Sequence, residues 1–169
     1  MGISVDSFVK AYRTNIKTTE DNFKKFINKH IVTDYVPYIT KCSYCDAIIK
    51  ATCFVKDGNR EFVKINSANR YLFFVMRLIE LYTDIEINEE EVVYEYDKLC
   101  KEGAINVLIS SIPESEYTEF STLLKMKMDD FMDNEYSFTA FIYNLKESLN
   151  ISEEIINSVI EEIKNNSNN

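Results

Sequence analysis

The chain has 169 residues, of which 46% are hydrophobic and 28% charged, a composition typical of one folded domain and not of a disordered chain. Its 19 basic and 28 acidic residues give a net charge of -9, which disfavours direct binding to nucleic acid or an anionic membrane and favours a basic protein surface. With 3 Gly, 2 Pro and one His, turn-rich sandwiches, phosphate-binding loops and His-based catalysis are poorly supported, so we expect neither an enzyme nor a cofactor.

Apolar residues at intervals of three and four predict three helices in the first third of the chain. The first begins near Ser4, and the second follows the N-cap candidates Thr18 and Thr19. The third begins at Pro37, because proline suits a first helical turn. The predicted apolar faces are Val5, Phe8, Val9, Tyr12 and Ile16 in the first helix; Phe23, Phe26, Ile27 and Ile31 in the second; and Tyr38, Cys42, Cys45, Ile49 and Cys53 in the third.

Residues 54–65 form the one segment that the sequence favours as β-structure. Asp57-Gly58-Asn59 supplies turn residues between the stretches Cys53-Phe54-Val55 and Glu61-Phe62-Val63, as in a β-hairpin. Because an isolated two-stranded hairpin is marginally stable, a hairpin and an irregular loop are equally compatible with this sequence.

A helix that is apolar on most sides is predicted to begin at Asn66 or Ser67 and to end near Tyr82. It is the best candidate for the central, buried helix. The polar residues Arg70, Arg77, Glu80 and Asp84 are spaced by seven, three and four, which places them on one stripe.

This stripe has two interpretations. The first is a narrow solvent-facing strip stabilised by an ion pair between Arg77 and Glu80. The second is a charged contact strip for a protein partner. Under the second, the candidate partner-binding residues are Arg70, Arg77, Glu80 and Asp84, together with Arg60 and Phe62 of the 54–65 segment.

The C-terminal half is also predicted to be helical. Asn88 and Glu91 form a capping box for a helix that ends before Gly103. A short helix over 104–111 and a long one opening at Pro113 follow, and two more cover 137–149 and 152–164. The result is an all-α fold: a single-domain bundle of about eight helices over 1–164 with a disordered polar tail at 165–169.

Cys42-Ser43-Tyr44-Cys45 is a C-x-x-C motif, so core thiols, a metal site and a redox pair must be compared. A structural zinc site needs four ligands, and the other candidates, Cys53, Cys100 and His30, are not paired in sequence. A thioredoxin-like motif needs a βαβ setting, which a helical chain does not provide. Both thiols fall on the apolar stripe of the third helix, which favours core packing and no metal.

His30 is predicted to be a partly exposed residue at the end of the second helix, where a cation suits the helix dipole. Three acidic clusters are present: Asp84, Glu86 and Glu89 to Glu91; Asp129, Asp130, Asp133 and Glu135; and Glu153, Glu154, Glu161 and Glu162. Solvated helix faces are the simplest interpretation of these clusters. A nucleic-acid mimic and a metal or catalytic role are the alternatives.

The aromatic residues are 11 Tyr and 11 Phe with no Trp. Several tyrosines exceed what a helical bundle needs, and tyrosine is favoured at protein interfaces. They are Tyr35, Tyr38, Tyr44, Tyr94, Tyr96, Tyr136 and Tyr143. This surplus favours a protein-binding role.

The chain begins without a secretion signal, and its longest apolar run, residues 71–76, is too short for a membrane span of about 20 residues. We therefore expect a cytoplasmic protein with reduced cysteines and no membrane association.

Four stretches stand out as a set: Tyr35-Val36-Pro37-Tyr38; Asn66-Ser67-Ala68-Asn69-Arg70-Tyr71-Leu72-Phe73-Phe74-Val75; Leu81-Tyr82-Thr83-Asp84-Ile85-Glu86-Ile87; and Ile112-Pro113-Glu114-Ser115-Glu116-Tyr117 with Glu119-Phe120. Together they resemble a family of short acidic proteins encoded by tailed phages and prophages of low-GC Gram-positive bacteria, among virion-assembly genes. The resemblance spans roughly Phe8 to Asn150 and carries no functional residues with it; Cys42 and Cys45 are not part of it.

The resemblance implies a small, non-enzymatic helical component of virion assembly, such as a head–tail connector or adaptor. Its partners would be portal, capsid or tail proteins, it would form a ring oligomer when assembled, and it would lie in the host cytoplasm or the virion. The alternative function is an acidic intracellular inhibitor, an anti-defence protein that mimics nucleic acid and binds a basic host protein through Glu89 to Glu91 or Asp129 to Asp133.

Overall fold

Helices carry most of the described chain, which confirms the all-α prediction. The structure is a computed structural model that describes residues 2–57 and 60–135, with the backbone alone for 56–57, 60–62 and 134–135. The chain divides into two units, Met1–Leu124 and Lys125–Asn169. The helices predicted at 137–149 and 152–164 and the polar tail at 165–169 lie outside the described residues.

The N-terminal helices are α1 (Val5–Asn15) and α2 (Glu20–His30), preceded by the short strand β1 (Ile3–Ser4). The hydroxyl of Ser4 accepts the Ser7 N–H, so the predicted cap is present. The predicted face of α1 is buried at Val5, Phe8, Val9 and Tyr12. The prediction that Ile16 belongs to this buried face is wrong, because Ile16 follows the last residue of α1 and is 49% exposed.

Helix α3 (Tyr38–Cys53) begins directly after Pro37, as predicted, and runs without a break into a β-hairpin. Strands β2 (Phe54–Asp57) and β3 (Arg60–Val63) pair antiparallel, with Phe54 opposite Val63 and Asp57 opposite Arg60. The Lys64 N–H donates to the Cys53 carbonyl at 2.8 Å, which anchors the return strand to the end of α3. The hairpin prediction is thus confirmed over the loop alternative.

Helix α4 (Ser67–Tyr82) is the central helix of the first unit. The Asn66 side chain accepts the Asn69 N–H at 3.0 Å and caps it, as predicted. Its buried residues are Phe74, Val75, Met76, Leu78, Ile79 and Tyr82. Strand β4 (Ile85–Glu86) then pairs in parallel with β1, so the chain's N-terminal strand is hydrogen-bonded to the segment that leaves α4.

Three further helices follow: α5 (Val92–Lys101), α6 (Ala104–Ser110) and α7 (Glu114–Glu135). The capping box predicted for Asn88 and Glu91 is wrong in its second residue, Glu91. A 3-10 turn over Glu89–Glu91 precedes α5, so the carboxylate that accepts the Asn88 N–H, at 2.8 Å, belongs to Glu95 one turn later. Gly103 follows α5 with φ 71°, the left-handed conformation predicted for that position. No described helix combines the length and the apolar character that crossing a bilayer requires.

Candidate protein-binding site

The link between α2 and α3 exposes large apolar side chains at residues 32–39, which we call the exposed segment. Val32 is 59% exposed and Tyr35 61%, and at the start of α3 Tyr38 is 58% and Ile39 75% exposed. Scattered apolar side chains are normal on a protein surface, but four within eight consecutive positions are typical of an interaction site. The prediction that Tyr38 belongs to the buried face of α3 is wrong, because that face begins one turn later.

Hydrogen bonds hold the backbone of the exposed segment at several points. The Val32 N–H donates to the carbonyl of Tyr82, at the end of α4, at 2.9 Å. The Thr33 hydroxyl donates to the Tyr35 carbonyl at 2.6 Å. Val36, in the middle of the segment, is buried, and its N–H donates to Glu116 Oε2 at 2.9 Å. The backbone of the segment is therefore held in place, although the side chains of Val32, Tyr35, Tyr38 and Ile39 are exposed.

Glu116 Oε2 is the centre of a buried polar network beneath the exposed segment. It accepts the Tyr82 hydroxyl at 2.7 Å in addition to the Val36 N–H, and it lies 2.8 Å from Lys41 Nζ. Lys41, on α3, is fully buried, and its ammonium also forms a close ion pair with Glu119. Three elements, α3, α4 and α7, thus meet at one carboxylate.

The ionisation of this network follows from its contacts. Burial favours the neutral lysine, but the carboxylates of Glu116 and Glu119 outweigh burial and raise the pKa of Lys41 above its ordinary value. Burial likewise opposes ionisation of Glu116, yet the Lys41 ammonium, the Val36 N–H and the Tyr82 hydroxyl together lower its pKa. Lys41 is therefore charged and Glu116 ionised at neutral pH.

This charge state limits what the network can do chemically. A protonated lysine is not a nucleophile, and a carboxylate with a lowered pKa is a weak base. Burial and the hydrogen bond to Glu116 also raise the pKa of the Tyr82 phenol. The arrangement suits structural support of the exposed segment. The cation of Lys41 lies 5.5 Å from the ring centroid of Tyr35, so the network also touches an exposed side chain directly.

The predicted stripe on α4 is only partly assembled. Arg77 Nη1 lies 2.5 Å from Glu80 Oε2, which confirms the predicted pair, and Arg77 also bonds closely to Glu89. The Arg70 guanidinium contacts Ser67, and its buried Nη1 has no hydrogen-bond partner among the described residues. Asp84 lies beyond the end of α4 and faces another element.

The partner of Asp84 is His30, which lies at the end of α2 as predicted, but the prediction that it is partly exposed is wrong. His30 is only 6% exposed, and its Nδ1 lies 2.8 Å from Asp84 Oδ1. Its ring packs edge-on against Phe8 and Phe26, with centroid separations of 5.2 and 4.9 Å. Phe8 of α1 and Asp84, on the chain that leaves α4, cover the His30 side chain, so a helix-end position does not make this residue solvent-exposed.

Partner binding by Arg70, Arg77, Glu80 and Asp84 stays a prediction. Arg60 and Phe62, the other two candidates, lie on β3, and their side chains are outside the described part of the chain.

The C-x-x-C cysteines occupy the positions expected of core residues. Cys42 is 8% exposed, and Cys45 and Cys53 are fully buried. Among the described residues, no three His, Cys, Asp or Glu side chains are arranged to hold a metal ion. In the first acidic cluster Glu89, Glu90 and Glu91 are exposed; the cluster at 153–162 lies outside the described residues, as do Tyr136 and Tyr143.

Sequence reasoning missed the Lys41–Glu116 network. A signal for Lys41 exists, because it lies four residues before Cys45 and seven before Ile48, on the apolar stripe of α3. No such signal marks Glu116, which reads as an ordinary first-turn acid of α7.

Family models, curated proteins and solved structures were all compared with the chain, and none of them matches it.

Proposed function

We propose that the chain is a non-enzymatic protein-binding component of phage virion assembly, a head–tail connector or adaptor, and that it binds its partner through the exposed segment. The virion setting rests on the resemblance of the four sequence stretches. The binding role is supported by one observation above all. Residues 32–39 expose large apolar side chains, and the backbone of this segment is hydrogen-bonded to the buried carboxylate of Glu116.

An ordered apolar segment is a good binding surface for a physical reason. A flexible segment loses conformational entropy when a partner orders it, whereas the exposed segment is already hydrogen-bonded to Tyr82 and Glu116. Tyrosine also gives a large contact area with few rotatable bonds, and it is enriched where interfaces gain most of their affinity. Tyr35 is therefore an expected anchor residue. Ile39 is the second, because at 75% it is the most exposed large apolar side chain of the segment.

The net charge of -9 indicates which charge the partner surface around the exposed segment should carry. A polar rim that carries acidic residues favours a partner with a basic surface, and it speeds association at low salt. The proposed partners are portal, capsid or tail proteins, and a ring of copies is the proposed assembled state. Host cytoplasm before assembly and the virion afterwards are the proposed locations.

A tagged pull-down from the source cells during phage production tests this function, with bound proteins identified by mass spectrometry. We expect virion proteins to be recovered by the wild type and lost by the Tyr35→Ser/Ile39→Ser variant. The Tyr71→Ser/Val93→Ser variant changes exposed side chains elsewhere and should retain them. Recovery of virion proteins by neither the wild type nor the control contradicts the assembly role, as does a chain that is absent from purified particles.

The acidic-inhibitor alternative is supported by the 3-10 turn before α5, where Glu89, Glu90 and Glu91 are all exposed. Glu89 is engaged by Arg77, which leaves Glu90 and Glu91 as the acids best placed for a basic host protein. In the same pull-down, this function predicts a basic nuclease or DNA-binding protein that moderate salt releases. Binding that survives Glu90→Gln/Glu91→Gln excludes the turn as the contact.

A further inference from the structure

A groove of about 650 Å³ runs along α1 and α2, in the first unit, and its lining differs in charge from the rest of the protein. Lys25, Lys29 and His30 contribute to it from α2, and no Asp or Glu is among the described residues that line it. The whole chain carries 28 acidic residues and a net charge of -9, so a groove without carboxylates is a local reversal of the overall charge.

The two lysines of this groove have no ion-pair partner in the part of the chain that the structure describes. Lys25 and Lys29 are one helical turn apart on α2, where like charges repel each other, and neither forms an ion pair among the described residues. Glu20, in the first turn of the same helix, is paired with Lys24 at 2.6 Å. His30 is paired with Asp84, so the unneutralised charge of the groove belongs to the two lysines.

A second groove gives an internal comparison. It measures about 390 Å³, lies along α1 and α5, and also contains several cations. There the cations are neutralised within the chain: Arg13 lies 2.7 Å from Glu102, and Lys98 lies 2.6 Å from Asp6. Its remaining lysines, Lys10 and Lys101, sit beside these same carboxylates. Asp6, Asp97 and Glu102 thus line the α1–α5 groove together with its cations, whereas Lys25 and Lys29 have no carboxylate beside them among the described residues that line the α1–α2 groove.

We propose that the α1–α2 groove binds an acidic segment of a protein partner, with two carboxylates of that segment paired to Lys25 and Lys29. The other lining residues favour a peptide over a free phosphate. The Asn22 amide can both donate and accept hydrogen bonds, which matches a peptide backbone, whereas a phosphate mainly accepts. Phe26 and Ile3 add apolar surface that a peptide side chain can cover and a phosphate cannot.

This site is separate from the exposed segment and does not depend on the proposed function. The exposed segment takes an apolar contact, and the groove takes an acidic one. A partner surface that is basic overall can still carry such a segment, and the two sites then fix the orientation of the partner.

Binding of a fluorescent hexaglutamate peptide to the full chain tests the proposal, with hexaglutamine as the uncharged peptide control. At an ionic strength of about 30 mM, where screening is weak, we expect binding to hexaglutamate alone, measured by anisotropy. Backbone amide shifts in NMR spectra should change along residues 22–30 and not beside Lys10 or Lys101. Lys25→Glu/Lys29→Glu should weaken binding by about tenfold or more.

The matched control is Lys10→Glu/Lys101→Glu, which changes the net charge equally in the α1–α5 groove and should weaken binding by less than about threefold. Circular dichroism confirms that both variants fold, and Lys25→Gln/Lys29→Gln repeats the test without new repulsion. Equal losses in the two groove variants, or shifts confined to the α1–α5 groove, overturn the proposal. So does binding of inorganic pyrophosphate in the α1–α2 groove more tightly than hexaglutamate.

Discussion

Glu116 Oε2 lies 2.8 Å from Lys41 Nζ, and this buried pair joins α7 to α3. The same oxygen accepts hydrogen bonds from Tyr82 and from Val36, so four parts of the chain share one buried charge. Buried charges are costly unless they are paired and hydrogen-bonded, and here both conditions hold. The exposed segment is thus attached, through the Val36 N–H, to a carboxylate that the buried ion pair holds in place.

Replacing Lys41 with methionine should destabilise the protein strongly. Methionine preserves much of the volume but leaves Glu116 as a buried charge without its cation, which costs about 3–5 kcal/mol. Urea unfolding at neutral pH measures the change. Lys50→Met, at an exposed position of the same helix, is the control and should change the unfolding free energy by less than about 0.5 kcal/mol. Equal effects of the two substitutions would show that the buried pair contributes nothing.

The Glu116 contribution should depend on pH in a defined direction. Because its folded-state pKa lies below the ordinary value of 4.5, its stabilisation is complete above that pH and is lost as the pH falls through the folded-state pKa. The wild type should therefore exceed Glu116→Gln in stability at pH 7, and this difference should shrink toward about pH 3. Glu114→Gln, at an exposed position of α7, is the control. A Glu116→Gln difference that stays constant across this range contradicts the assignment.

Lys41 gives the complementary prediction at high pH. Its pKa is raised above 10.5, so its contribution is complete below that pH and is lost as the pH rises through the higher folded-state value. The unfolding free energy of the wild type should exceed that of Lys41→Met from about pH 8 upward, and this difference should shrink only near pH 11. A stability difference that already shrinks below pH 9 would contradict the raised pKa of Lys41.

Removing the Tyr82 hydroxyl should cost about 1–3 kcal/mol, because the buried carboxylate of Glu116 loses a hydrogen-bond donor. The matched control is Tyr12→Phe. Tyr12 is equally buried, and its hydroxyl makes no hydrogen bond among the described residues, so its loss should cost less. Thermal unfolding of both variants gives the comparison. Similar midpoints for Tyr82→Phe and the wild type argue against the hydrogen bond.

The stability cost of substituting Gly103 should come from its backbone angle and not from crowding of the added side chain. Its φ is 71°, and a Cβ added there meets no atom within 4 Å, so Gly103→Ala should cost about 1–2 kcal/mol from left-handed strain alone. Asparagine tolerates this conformation better, so Gly103→Asn should cost less. Chemical denaturation of both variants measures the order, and a reversed order rejects this explanation.

Local signals in the sequence predicted much of the fold. Ser4, Pro37 and Asn66 mark helix starts because their chemistry acts within a few residues, and Gly103 marks an end for the same reason. The hairpin remained undecided, since its stability comes partly from its attachment to α3.

The candidate site was less predictable, because it depends on contacts distant in sequence. Val36 and Glu116 are 80 residues apart, and no local pattern relates them. His30 was misjudged for the same reason: Asp84, its partner, arrives 54 residues later. The surplus of tyrosines predicted a protein interface, which stays a prediction. Tyr35 and Tyr38 are exposed, but sequence alone did not show that they share one ordered segment.

The affinity of a purified virion partner for matched surface variants tests the central claim most directly. Val32 and Val93 are 59% and 57% exposed, and Tyr35 and Tyr71 are 61% and 60% exposed, so each pair differs in location and hardly in exposure. Calorimetry should show at least about tenfold weaker binding for Val32→Ser/Tyr35→Ser and an unchanged affinity for Val93→Ser/Tyr71→Ser. Equal affinities for the two variants would contradict the assignment of the exposed segment as the binding surface.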